Sequence, residues 1–404
     1  MTEKRAKRKH ILVISQYFYP EPFRINDICM EWVKRGYRIT VLTGIPNYPE
    51  GIFYDGYGYR SRRTEKWNGM DIIRIPLIAR GNHVCGLAAN YLSFVISGFF
   101  WNLTAVVKAD YVFTFEVSPM TQALIGVWYA KKHRIPNYLY VQDLWPENVE
   151  TVTGIHHPVL IRPLRKMADY IYRNCTDIFV SSPGFVKAVC RRKIDRRKVH
   201  YWPQYAEEFY RPLQHRPTEE IPQSDAFKII FTGNIGYAQG LDILPKTAHV
   251  LRGKKVEFII VGDGRYLEEL KEETGRLQVG EMFRFIPRQP AEKIPELLAA
   301  CDAAFLSFKD TGLFKMTIPA KLQSYMACGM PVIAAACGET KQIIETAECG
   351  ICSKMGDADS LASAILWMAG NTDLQAMKIN ARKYFEKYFE KNYLMDCLDR
   401  YFWR

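Results

Sequence analysis

Short apolar runs bounded by turn-forming residues alternate along this chain with stretches whose apolar residues return every three or four positions. The runs predict strands at Ile11–Ser15, Ile39–Thr43, Ile72–Pro76, Tyr111–Phe115, Tyr138–Val141, Ile178–Ser181 and Val199–Trp202, with helices between most of them, for example Asn26–Lys34 and Thr121–Lys132. Strand, helix, strand at this spacing builds a parallel sheet covered on both faces. The proline-bearing stretch Pro212–Ser224 breaks the pattern and reads as a linker. Beyond it Ile229–Thr232, Phe258–Val261, Phe283–Ile286, Ala303–Ser307 and Val332–Ala335 repeat the theme. The expected fold is α/β, with two doubly wound Rossmann-like domains at 1–211 and 225–373 joined by residues 212–224. A helical segment, 374–404, is expected to pack back on the first domain.

Pro319 to Thr340 combines helix, turn and strand. Pro319 suits a first helical turn, Leu322, Tyr325 and Met326 share one face, and Gly329 closes the helix. Pro331 to Ala336 is then an apolar strand, and Gly338-Glu339-Thr340 opens the next helix, so backbone N–H groups stand beside a strand end. That is an anion-binding arrangement, or an ordinary αβ unit.

Gly86 to Val107 departs from the alternation, with no charge across 22 residues. It meets the length test for a membrane span, but Asn90, Ser93, Ser97, Asn102 and Thr104 interrupt it. A helix in the membrane interface or buried under the sheet fits better. Arg60, Arg62, Arg63, Lys66 and the basic N-terminal tail favour the interface.

Charge sharpens that asymmetry. Residues 1–211 hold 31 Lys and Arg against 18 Asp and Glu, whereas 212–404 hold 24 against 25. The first half is therefore the half that meets an anionic surface, membrane or nucleic acid. No nucleic-acid module is recognisable, so no nucleic-acid partner is expected. Ten irregularly spaced cysteines and the short apolar run after MTEKRAKRKH argue for free thiols, a reducing compartment and no signal peptide.

The chemistry-bearing segments lie at predicted strand ends. Thr232 to Gly240, TGNIGYAQG, follows a strand and precedes a helix near Leu241, and its glycines allow close backbone approach to a diphosphate. Gly262-Asp263-Gly264 ends the next strand, the edge where open α/β sheets bind ligands. Neither turn matches GxGxxG, which argues against a nicotinamide or flavin site. In YVQDLWPEN, Asp143 stands just past a strand as a base or a helix cap, and Glu116 is a similar candidate. Asp357-Ala358-Asp359 imitates a DxD metal signature but leads into a helix, with Asp359 expected as its N-cap. Cys349-Gly-Ile-Cys352 lacks a second ligand pair and reads as buried small residues at a strand entry. No metal site and no cofactor are expected.

Together FYPEPFRINDI, GYRITVLTGIPNYPEG, DLWPE, TGNIGYAQGLDIL, VGDG and PAKLQSYMACGMPVIA resemble the retaining GT-B glycosyltransferases of family 4, from Ile11 to about Phe389. The branch they look like adds N-acetyl-L-fucosamine or similar amino sugars in bacterial O-antigen and capsule assembly. The resemblance implies two Rossmann-like domains facing across a cleft, the first for acceptor and the second for the nucleotide sugar. Acceptors in the branch are commonly sugars on undecaprenyl diphosphate, which implies a cytoplasmic protein held peripherally at the inner leaflet. It implies donor contacts from Gly233, Asn234, Gly236, Gln239, Gly262, Asp263, Arg288, Lys315, Lys321 and Ser324, and acceptor-side contacts from Phe23, Arg24, Asn26 and Trp145.

The chain departs from that family in particular places. The carboxylate pair spaced by seven residues falls at Met316 and Ser324, and the usual Arg and Lys phosphate contacts fall at Asn234 and Gln239. Pro22-Phe23-Arg24 stands where the first loop usually has Gly-Gly. Lys321 and Lys315, with Arg288 and Arg24 behind them, are the available cations for a diphosphate. The expected activity is metal-independent, retaining transfer of an acetamido sugar from a UDP-sugar to a polyprenyl-diphosphate-linked saccharide. In it Gly236, the loop amides and Lys321 hold the leaving diphosphate, a donor phosphate oxygen takes the proton, and Asp143 and Glu116 orient the acceptor. A UDP-sugar 2-epimerase of the same architecture and a non-catalytic membrane-bound relative remain open.

Overall fold

The computed structural model describes residues 8–81, 83–370 and 374–403. The chain divides into two compact units, one of residues up to 181 with 186–201, the other of 182–185 with 202 onward. The basic tail, residues 1–7, lies outside the described residues.

The first unit runs β1 His10–Ile14, α1 Arg24–Lys34, β2 Arg38–Gly44, β3 Thr64–Trp67, β4 Met70–Ile75, α2 Val84–Thr104, β5 Tyr111–Glu116, α3 Ala123–His133, β6 Asn137–Val141, α4 Glu147–Thr153, α5 Pro158–Arg173, β7 Asp177–Val180, α6 Pro183–Cys190 and β8 Val199–Tyr201. Its eight strands are ordered β3-β4-β2-β1-β5-β6-β7-β8. The pairings are parallel except β3 with β4. Hydrophobic periodicity predicts no strand at Thr64–Trp67, because TEKW is polar and lies at the sheet edge. The signal was in the turn instead: Asn68 and Gly69, at φ 46° and 79°, join the directly paired Trp67 and Met70.

The uncharged segment is α2. Its Phe94 and Val95 are buried, and a Cβ on Gly98 would fall 2.1 Å from Ile125 of α3. Its opposite side leaves Leu92, Ile96, Phe99, Phe100 and Leu103 in solvent. The helix is thus packed on one face and bare and apolar on the other. No helix among the described residues is long and apolar enough to cross a membrane.

The second unit runs β9 Phe227–Asn234, α7 Ile243–Val250, β10 Val256–Asp263, α8 Leu267–Arg276, β11 Phe283–Ile286, α9 Ile294–Ala299, β12 Ala303–Ser307, α10 Gly312–Lys315, α11 Ala320–Ala327, β13 Val332–Ala335, α12 Gly338–Thr346, β14 Gly350–Ser353, α13 Ala358–Ala369, α14 Leu374–Tyr388 and α15 Lys391–Phe402. Its six parallel strands are ordered β11-β10-β9-β12-β13-β14. Side chains alternate between two buried clusters: Ile230 and Ile259 meet α11 and α14 on one face, while Phe231 and Ile260 meet α7 and α13 on the other. Residues 212–217 form no helix or strand. In the C-terminal segment, Ala381, Phe385 and Phe389 join the α11 cluster, and the Trp202 indole donates to the Leu394 carbonyl at 2.7 Å.

All ten cysteines are free, and Cys349 is buried at the entry to β14. The expected cap moves by two residues: Asp357, not Asp359, is the N-cap of α13, accepting from Ser360 N at 2.9 Å. Asp359 falls inside the first turn, because the helix starts at Ala358. Asp357→Ala is expected to cost about 1 kcal/mol in urea denaturation, the usual worth of such a cap.

Candidate functional site

The two glycine turns lie side by side in the second unit. β9 and β10 pair in register through Gly233↔Gly262 and Asn234↔Asp263, so both turns leave the sheet at one level. The packing is tight enough to demand glycine. A Cβ on Gly262 (φ +146°) would fall 1.9 Å from the Gly233 carbonyl oxygen, and one on Gly264 (φ +157°) 2.3 Å from the Ile235 oxygen. The TGNIGYAQG loop is pinned from neighbouring elements. The Ser307 hydroxyl donates to the Gln239 carbonyl at 2.6 Å, and Thr232 N donates to the Tyr325 hydroxyl at 3.0 Å.

Lys321, in the first turn of α11, reaches back to this loop. Its Nζ donates to Gln239 Oε1 at 2.6 Å and sits 4.7 Å from the centre of the Phe231 ring. Enclosure pulls its pKa down to about 8. A Cβ on Gly233 would stand 3.6 Å from Lys321 Nζ, so the bare glycine keeps open the space in front of the ammonium. Gly233, Asn234, Gly236, Gln239, Gly262, Asp263 and Lys321 are therefore brought together. Asp263 Oδ1 accepts from Gly264 N at 2.7 Å, a use of its carboxylate in shaping the turn.

Other expected donor contacts stand apart from this group or are otherwise engaged. Lys315 pairs with Asp310 at 3.0 Å and helps line a 460 Å³ cavity with Lys341, Lys354 and Cys337. Ser324 Oγ donates to the Ala320 carbonyl at 3.3 Å within its own helix. Arg288 is exposed on the loop after β11, the sheet edge. Tyr325, Phe231 and Ser307 read in sequence as core positions, and their contacts with Thr232, Lys321 and Gln239 cross between elements in a way that periodicity does not report.

In the first unit, β5 and β6 end side by side and carry Glu116 and the loop with Asp143. Glu116 is wholly buried, with the Gln142 and Asp143 backbone N–H groups as the polar neighbours of its carboxyl. Burial first, then the nearby Asp143 charge, lifts its pKa well above the usual carboxylate range, which favours the protonated form. Asp143 is also raised by burial, against the pull of Ser118, whose N–H donates to Oδ2 at 2.8 Å. Trp145 is 5% exposed, and its indole donates to Ser118 Oγ at 3.0 Å, so it supports the Asp143 loop from behind.

Asn26 is likewise spent on scaffold: its Oδ1 accepts from Tyr19 N at 3.1 Å and its Nδ2 donates to the Glu21 carbonyl at 2.8 Å. Phe23 stacks on Tyr17 at 5.1 Å and leans on Tyr48 at 5.2 Å. Arg24 opens α1, and its charge acts on the buried Tyr140 hydroxyl. Arg80 stands 5.1 Å over Tyr48, which makes an aromatic surface with a cation beside it. Glu21, unsuspected from sequence, holds the loops after β1 and β2 together by accepting from Phe18, Asn47 and Tyr48 N–H groups at 3.2, 2.8 and 2.8 Å. Of the basic cluster, Arg63 donates to the Arg74 carbonyl at 2.5 Å and Arg62 lies 5.1 Å over Tyr57, whereas Arg60 is exposed.

The state of Glu116 has a measurable consequence. An acid whose folded pKa is raised destabilises the fold once pH exceeds its unfolded value near 4.5, because the unfolded chain then ionises freely. Glu116→Gln is expected to raise the melting temperature at pH 7 to 8, and to leave it nearly unchanged at pH 4. The gain should be roughly 2–4 °C per kcal/mol recovered, read by differential scanning calorimetry.

Residues 215–384 match the family model described as "Glycosyl transferases group 1". WbjE of Pseudomonas aeruginosa, named as a probable glycosyltransferase, is 26% identical over 202 residues, covering 48% of this chain and 50% of WbjE. WcaI of Escherichia coli (strain K12), named for colanic acid biosynthesis, is 24% identical over 369 residues, covering 83% of this chain and 86% of WcaI. Among solved structures, sucrose-phosphate synthase from Thermosynechococcus elongatus superposes with a TM-score of 0.75 at 15% identity, covering 98% of both chains. Anabaena HepE, solved with UDP and glucose, gives a TM-score of 0.69 at 16% identity, covering 98% of this chain and 99% of HepE. The matched segment contains the sheet that holds the paired glycine turns and Lys321, and the chain has the two-domain GT-B fold of the structures on which it superposes.

Proposed function

We propose that this protein is a glycosyltransferase that moves an acetamido sugar, N-acetyl-L-fucosamine or a similar amino sugar, from a UDP-sugar to a polyprenyl-diphosphate-linked saccharide during bacterial surface-polysaccharide assembly. The observation that carries the donor half is the Lys321 ammonium, held by Gln239 at 2.6 Å against the glycine loop. A diphosphate oxygen is a stronger acceptor than an amide, so the ammonium exchanges Gln239 for the leaving group, and loop N–H groups complete the cradle. The naming of WcaI for colanic acid and the UDP in HepE support the substrate class. The reaction is read as retaining and metal-independent, with a donor phosphate oxygen taking the acceptor proton.

The acceptor half rests on the first unit. There the aromatic surface of Phe23, Tyr17 and Tyr48 takes a sugar ring, Arg80 takes anionic charge, and Asp143 receives an acceptor hydroxyl. Glu116, its pKa raised by burial, stands behind it. The bare face of α2 meets the inner leaflet of the cytoplasmic membrane, where a polyprenyl-linked acceptor resides.

The deciding experiment incubates purified protein with a panel of UDP-sugars, with and without a polyprenyl-diphosphate disaccharide, and with EDTA. Acceptor-dependent UDP release for one acetamido sugar, undiminished by EDTA and giving a product of unchanged anomeric configuration by NMR, is the expected result. Epimerised UDP-sugar formed without acceptor would overturn it.

A further inference from the structure

At the foot of α2, where its bare apolar face ends, the first unit has a 680 Å³ cleft lined by Arg38, Glu65, Lys66, Asp71, Val106 and Lys108 among others. Val106, 89% exposed, lines the cleft just beyond the end of α2, so the cleft adjoins the helix that carries the apolar stripe. That stripe, Leu92, Ile96, Phe99, Phe100 and Leu103, follows a single helix face.

Charge in the cleft does not cancel evenly. Asp71 is matched by Arg38 at 3.4 Å and Glu65 by the buried Arg74 at 3.1 Å. Lys66 and Lys108, both exposed, make no ion pair among the described residues. Nearby cations are otherwise engaged: Lys132 donates to the Asn102 carbonyl at the end of α2, and Lys131 to the Tyr170 hydroxyl at 3.3 Å. The backbone under Lys108 is held firmly. His10 Nδ1 donates to the Lys108 carbonyl at 2.7 Å, which leaves Nε2 to accept from the Thr40 hydroxyl at 2.8 Å. Two lysines without an ion pair among the described residues thus line one roomy cleft at the end of an uncovered apolar helix.

We propose that this cleft takes the phosphate of an anionic lipid headgroup, with Lys66 and Lys108 as its two cationic contacts and the α2 stripe seated in the adjoining acyl boundary. The proposal rests on the membrane-facing reading of the first unit given above and adds a defined headgroup site to it. Complementarity argues for a lipid over a protein partner: a phosphate needs two cations within one cleft, and an acyl boundary needs a contiguous apolar strip beside it, and both are present at the α2 foot.

The test measures partitioning of the full chain onto vesicles of phosphatidylcholine alone and of phosphatidylcholine with phosphatidylglycerol. Lys66→Gln/Lys108→Gln is expected to lower partitioning onto the phosphatidylglycerol vesicles about 30-fold, two basic contacts' worth, and to leave binding to phosphatidylcholine unchanged. Lys254→Gln/Lys387→Gln, which removes the same charge from the second unit, should lower it far less. Equal losses in the two double variants, or none in the first, would overturn the headgroup site. Phe99→Ser/Phe100→Ser should lower partitioning onto both vesicle types. Inorganic phosphate is titrated by calorimetry in parallel: binding that needs both lysines, with vesicle partitioning unaffected by their loss, would make this a free-phosphate site and overturn the lipid assignment. If the native chain partitions onto neither vesicle, the membrane reading itself fails, whereas calorimetric UDP binding tests the donor half separately. Circular dichroism of each variant establishes that lost binding is not lost folding.

Discussion

Replacing Lys321 by Ala is expected to weaken UDP binding 30- to 100-fold, about 2–3 kcal/mol, and to lower turnover at least as much. The magnitude follows from a charge-assisted contact made in an enclosed site, where water cannot substitute for the missing ammonium. The group starts from an amide partner, Gln239 Oε1, and a ring face, Phe231, neither of which neutralises it. It therefore meets the diphosphate as an uncompensated cation. The proton adds a second signature. With a free-state pKa near 8, Lys321 is largely charged at pH 7, and UDP affinity should be flat below pH 8. Above that, the dissociation constant should rise up to tenfold per pH unit, because binding must then take up a proton. In Lys321→Ala that slope should vanish. Calorimetry across pH 6.5 to 9.5 reads both effects, and native UDP affinity in the Ala variant would remove Lys321 from the site.

How far the fold was legible depended on where each strand sits. Central strands such as β5 and β12 are apolar on both faces, so short unbroken runs marked them to within a residue. β3 at the sheet edge has no buried run, and its alternation of exposed and half-buried residues carries no apolar signal; the Asn68-Gly69 turn is its one mark in the sequence. α2 showed the limit of composition. A helix apolar all round reads alike whether it is buried, spanning or interfacial, and it took the contact of Gly98 with Ile125 to tell its packed face from its bare one.

The site was legible where backbone chemistry dominates and obscure where side chains act across the sheet. Gly233 and Gly262 stood out as glycine turns at strand ends, and Lys321 as the cation available where the family resemblance leaves Asn234 and Gln239 in place of its phosphate contacts. Trp145 and Asn26 look like contact residues in sequence, yet their polar atoms are taken by Ser118, Tyr19 and Glu21. Conversely, Glu21 sits in a proline-rich loop where a carboxylate looks solvated. It is instead buried, with burial lifting its pKa to about 7 despite three N–H donors. Such residues hold the loops that carry the chemistry, and spacing alone does not reveal which loop a side chain will reach.

Gly262→Ala should do the greatest damage to stability, about 3 kcal/mol or more, and it separates architecture from chemistry. At φ +146° the new Cβ would stand 1.9 Å from the Gly233 oxygen, a backbone atom in a directly paired strand, so neither partner has a flexible end to move. Backbone strain and forced separation of β9 from β10 each contribute about 1–3 kcal/mol. Gly233→Ala is the informative contrast. Its φ of +128° is also strained, but its Cβ would meet only Lys321 Cδ and Nζ, both at 3.6 Å, which is ordinary contact with a flexible side chain. It should therefore unfold less readily in urea while losing UDP affinity, because the methyl occupies the space in front of the ammonium. Gly262→Ala should lose stability first and donor binding only as a consequence. Equal urea midpoints for the two variants would show that the strand ends are not packed as tightly as this register requires, and with that the anchoring of the donor loop would have to be sought elsewhere.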